Sequence, residues 1–223
     1  MTAKKTIRVV LPDSGPLISL ARASALDLLL TFREGIRIVL TDVVEFEVTH
    51  RSDDLPDSAV IKQFFSENRD RIEVLPTTVG SLALNDLKNR LQGGQSASLP
   101  KDMGELSVTS FIISMRTANP GEPTLVILED DWFESNSYAV PGNVHLLSTS
   151  AWLDGLEEMK VIASAAELRA QIQMTRPNFR SSHLIDQEAE KIPEGTDWRS
   201  TVRPRRPGER SAHTSKGTSQ ILL

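Results

Sequence analysis

The run TIRVVLPDSGPLISLA, residues 6–21, decides the fold. Ile7, Val9, Val10 and Leu11 make both faces of a strand apolar, the pattern of a strand buried inside a parallel sheet. Pro12 ends it, and the turn-like Asp13-Ser14-Gly15-Pro16 leads into an apolar helical segment. TLVILEDDWF at 124–133 repeats the plan, with a buried strand followed at once by Asp130 and Asp131.

Between and beyond these two runs, IRIVL (36–40), RIEVLP (71–76) and NVHLL (143–147) read as further strands. Helical segments alternate with them: SALDLLLTFREG, with Ser24 as N-cap and Gly35 as its close; DVVEFEVTH, capped by Thr41; SAVIKQFFSENRD; SLALNDLKNRL; MGELSVTSFIISMRTA; and two closing helices from Thr149 and Ser164. QGGQSASLPKD, rich in Gly, Ser and Pro, is the clearest loop. Alternating strands and helices predict an α/β fold, a parallel β-sheet sandwiched between α-helices. One domain of ordinary size is expected over 1–173. The polar, Arg/Pro/Ser-rich stretch 174–223 is expected to be disordered or ordered by a partner.

The 223 residues carry 25 Lys/Arg against 30 Asp/Glu, a net charge of −5. Residues 174–223 hold nine of those cations and only six of the acids, so the body is more acidic than the whole. Such a body repels nucleic acid unless cations or a local basic groove offset its charge. No stretch has the length of a membrane span, and the basic start lacks a signal-peptide core; a cytoplasmic protein with no membrane contact is expected. With no Cys, disulfides, thiolate chemistry and Cys-ligated zinc are excluded. The four His are scattered without metal-ligand spacing.

What remains is a set of acids. In open parallel sheets ligands bind outside the carboxyl ends of the strands, where Asp13 and Asp130 fall. Each acid has a plainer reading. Asp13 suits a helix N-cap, Asp102 and Glu105 fit a capping box, and Asp130 and Asp131 suit a helix start. Glu47 does not: it shares a helix face with Val43 and Val44, where an unpaired carboxylate is costly. Carboxylates converging at one sheet edge describe a hard-cation site for Mg²⁺ or Mn²⁺, and so a metal-dependent phosphodiesterase.

LPDSGPLISLA, IVLTDVVEFEV, DMGELSVTSFI, LVILEDDWF and VHLLSTSAWLDGLEEMKVI occur in an order that resembles PIN-domain proteins, in particular the VapC-type toxin ribonucleases of bacterial toxin–antitoxin pairs, from Ile7 to Ile162. The resemblance implies that Asp13, Glu47, Glu105 and Asp130 are the catalytic and metal-binding acids, with Asp131 supporting or replacing Asp130. It implies RNA as substrate, an antitoxin protein as partner and a possible homodimer. DDWFESN is acidic where many relatives carry a basic residue, and neither the long 92–101 loop nor the tail has a counterpart in compact members. Two other functions fit the same residues: a catalytically degenerate PIN-fold module that binds RNA or protein, and a phosphohydrolase using Asp13 as nucleophile. The second lacks the further Asp two positions on that such enzymes use.

Overall fold

The computed structural model describes residues 6–129, 140–175, 190–191 and 197–203. Its centre is one sheet in the order β3-β2-β1-β4-β5-β6. The strands are β1 (Val9–Pro12), β2 (Arg37–Thr41), β3 (Ile72–Leu75), β4 (Thr124–Leu128), β5 (Val144–Ser148) and β6 (Glu190–Lys191). The first five run parallel, and the two-residue β6 pairs antiparallel to β5. Helices flank the sheet: α1 (Ser14–Arg22), α2 (Asp42–Thr49), α3 (Pro56–Glu67), α4 (Thr78–Gln92), α5 (Met103–Ala118), α6 (Thr149–Glu158) and α7 (Ala165–Thr175).

β1 and β4 are fully buried along almost their whole length, as their unbroken apolar runs require. From β1 the chain builds outward through β2 to β3, then returns to lay β4 on the other side of β1. This reversal makes a crevice at the carboxyl ends of β1 and β4, the usual ligand position in such sheets.

The segment expected to be a second helix after Ser24 is instead a 3₁₀ turn, Leu26–Thr31. Ser24 takes positive φ (53°), with Ala25 N donating to Leu20 O and Ser24 N to Ala21 O. That is the Schellman close of α1, so Ser24 stops one helix rather than capping the next. Leu26, Leu28 and Leu29 are buried, and this sets the path more than helix propensity does.

Part of the C-terminal stretch belongs to the core. Trp198 is fully buried, and a Cβ on Gly155 would collide with its ring. Arg33 N donates to Thr201 O and Arg203 N to Thr31 O, each at 2.8 Å, while Phe32 bridges Val202. Phe32 in turn stacks on buried Trp152, centroids 6.1 Å apart. Among the described residues no helix is long and apolar enough to cross a membrane.

Candidate active site at the β1–β4 crevice

Asp13 leaves β1 with its backbone still in the ladder, its N–H donating to Ile127 O at 2.9 Å. It is 7% exposed and stands at the N-cap position of α1, yet its side chain makes no capping bond. Capping is therefore not what this carboxylate does.

Glu47 reaches the same place from α2. Ser14, the residue after Asp13, donates its hydroxyl to Oε2 at 2.5 Å, and the Gly104 N–H of α5 donates to Oε1 at 3.1 Å. Ser14 thus orients Glu47. Burial holds the Glu47 carboxyl above its ordinary pKa, against the lowering effects of Ser14, Gly104 and the nearby His50 charge. Gly104 is required here: a Cβ would lie 2.6 Å from Oε2. With no side chain in the way, the first turn of α5 presents an amide, and its positive dipole end, to the acid.

Asp102 and Glu105 do not form the expected capping box. Asp102 sits at the N-cap with φ 61°, a left-handed conformation uncommon outside glycine, and its side chain caps nothing. Its carbonyl accepts the first helical bond, from Leu106 N at 3.1 Å. Strain of this kind gathers at working sites. It sets the entry of α5 so that Gly104 meets Glu47 and places half-buried Glu105 one residue on.

Asp130 and Asp131 lie outside the described residues. Glu129, which the sequence pattern places at the end of a strand, is the first residue beyond β4. Its Oε2 accepts from Ser19 of α1 at 3.0 Å, and a Cβ on Gly15 would lie 3.1 Å from its Cβ. The first turns of α1 therefore touch Glu47 through Ser14 and Glu129 through Gly15 and Ser19. A small-residue pattern, Ser14-Gly15 and Ser19 on an otherwise apolar helix, was the available signal.

Asp42, the first residue of α2, gives no such signal in the sequence. It accepts from Thr77 Oγ1 at 3.0 Å and Ser81 Oγ at 3.4 Å, and a Cβ on Gly80 would collide with it. It clamps the start of α4 to α2. Thr41 and Ser148 are plain N-caps, accepting from Val44 N and Ala151 N.

Among the described residues, the side chains of Asp13, Glu47, Glu105 and Glu129 offer oxygens, the chemistry that suits a hard cation. Among the described residues, no three Asp, Glu or His stand close enough together to form a ready metal-binding group. No family model matches the chain, and no curated protein or solved structure matches it significantly.

Proposed function

We propose that the protein is a metal-dependent endoribonuclease of the PIN type, the toxin of a toxin–antitoxin pair acting in the cytoplasm. The observation that carries this reading is Glu47. The fold invests a hydroxyl from α1 and an amide from α5 in holding a half-buried acid at the switch point, and the α1 hydroxyl is that of Ser14, the residue after Asp13, an acid that is not used as a cap. Buried carboxylates are costly, and a site that recruits a cation gives that cost a purpose.

On this reading Asp13, Glu47, Glu105 and Asp130, with Asp131 in support, hold Mg²⁺ or Mn²⁺. A cation bound there supplies positive charge to an RNA phosphate and makes water a competent nucleophile near neutral pH. The chain's own part is positional. Ser14 and the Gly104 amide fix the rotamer of Glu47, and Asp102 fixes Gly104. An antitoxin would cover this acidic crevice with a basic side chain, and self-association would be as a homodimer.

A second reading keeps the fold without the chemistry: a PIN-like module that binds RNA or protein. It is favoured by the fact that each Glu47 oxygen already has an internal donor. Calorimetric titration with Mn²⁺ separates the two. The nuclease reading expects binding that Glu47→Gln weakens strongly. An absence of Mn²⁺ binding by folded protein transfers the weight to the module.

A further inference from the structure

α2 ends in two stacked rings beside the carboxylate crevice. Phe46 and His50, one turn apart, have centroids 4.6 Å apart and planes 11° from parallel. An aromatic pair at this spacing is an ordinary helical contact. Three features set this one apart. Phe46 is half-buried while His50 is exposed, so the outer ring rests on a packed one. The outer ring is also fixed: His50 Nδ1 lies 3.0 Å from Phe46 O and 3.2 Å from Glu47 O. Carbonyl oxygens only accept, so Nδ1 carries the hydrogen, and Nε2 stands on the ring's far side. Finally, the ring lies against the backbone of Glu47 itself, whose side chain meets Ser14 and Gly104.

We propose that the Phe46–His50 stack is a platform for one unpaired base of single-stranded RNA, with the adjoining phosphate entering the crevice at Glu47. This rests on the ribonuclease reading. The body is acidic and lacks a basic residue after Asp131, so charge alone gives little grip. Stacking needs no charge, and every base offers a π-face, so the contact tolerates any sequence. Nε2 of His50 adds one hydrogen-bonding atom at the base's edge.

The test is fluorescence anisotropy of a short labelled single-stranded RNA in Mn²⁺, in an Asp13→Asn background that holds back cleavage. His50→Ala is expected to weaken binding on the order of 10-fold, while His50→Phe stays within about 3-fold of the parent. The slope of log affinity against log salt is expected to be the same in all three proteins, because no phosphate contact is lost. Unchanged affinity in His50→Ala, with its fold verified by circular dichroism, overturns the platform. So does loss in His50→Phe with a shallower salt slope, which marks a charge contact to phosphate. Failure of both wild type and Asp13→Asn to bind RNA overturns the ribonuclease reading, and the platform with it.

Discussion

Ser14 Oγ donates to Glu47 Oε2 at 2.5 Å, joining the start of α1 to α2 across 33 residues of sequence. The bond holds an acid from the second βα unit against the residue that follows Asp13, the acid closing the first strand. Removing the hydroxyl in Ser14→Ala leaves Glu47 less well oriented and less readily ionised. Partners that orient ligands are typically worth roughly 10–100-fold in metal affinity. Mn²⁺ affinity by calorimetry is expected to fall in that range with little change in melting temperature. Unaltered affinity would show that the bond is only a strut.

Gly104→Ala separates the site from the fold. Alanine favours a helix by about 1 kcal/mol over glycine in a helix interior. Its Cβ would stand 2.6 Å from the end of a flexible Glu47 side chain, which can swing aside at small cost. Thermal stability is therefore expected to hold or rise slightly while Mn²⁺ binding and cleavage are largely lost. A large drop in melting temperature would mean that Glu47 is held by the core rather than by Ser14 and the α5 amide.

The raised pKa of Glu47 sets the sign of a pH effect in metal-free protein. The folded state binds the proton more readily than the unfolded chain, whose value lies near 4.5. The resulting stabilisation is fully present below that pH and is lost as pH rises through the higher folded value. Glu47→Gln is thus expected to melt higher than wild type in EDTA at pH 7, and the gain is expected to shrink toward pH 4. A gain that grows on acidification would reverse the assignment.

The strands were legible because a parallel sheet buried on both faces writes itself as apolar runs: β2, β4 and β5 fall within a residue of IRIVL, TLVILE and NVHLL, and β1 is the last four residues of TIRVVLP. Glu47 was legible as an acid among valines. Less visible were features set by backbone geometry and distant contacts. Ser24 and Asp102 adopt positive φ, which their side chains do not announce. Glu129 stands just past β4 only because the ladder ends at Leu128. Trp198 looked like part of a polar tail because its socket, opened by Gly155, lies some forty residues away in sequence.

That socket carries its own prediction. Truncating a fully buried aromatic to alanine costs about 3–5 kcal/mol. Trp198→Ala, and equally a chain stopped after Thr175, is expected to melt several degrees lower in a thermal unfolding scan. Unchanged melting in both would mean that residues 197–203 contribute no stability to the body.

Whether the acids of the β1–β4 crevice cut RNA with a metal is read most directly from cleavage of a panel of structured RNAs by purified, partner-free protein in Mn²⁺, in EDTA, and by Asp13→Asn in Mn²⁺. The expected result is endonucleolytic cutting in Mn²⁺ alone, reduced by at least about 100-fold in Asp13→Asn, as loss of a ligand to a catalytic metal implies. Equal cutting by Asp13→Asn, or none by folded wild type on any RNA, would contradict it.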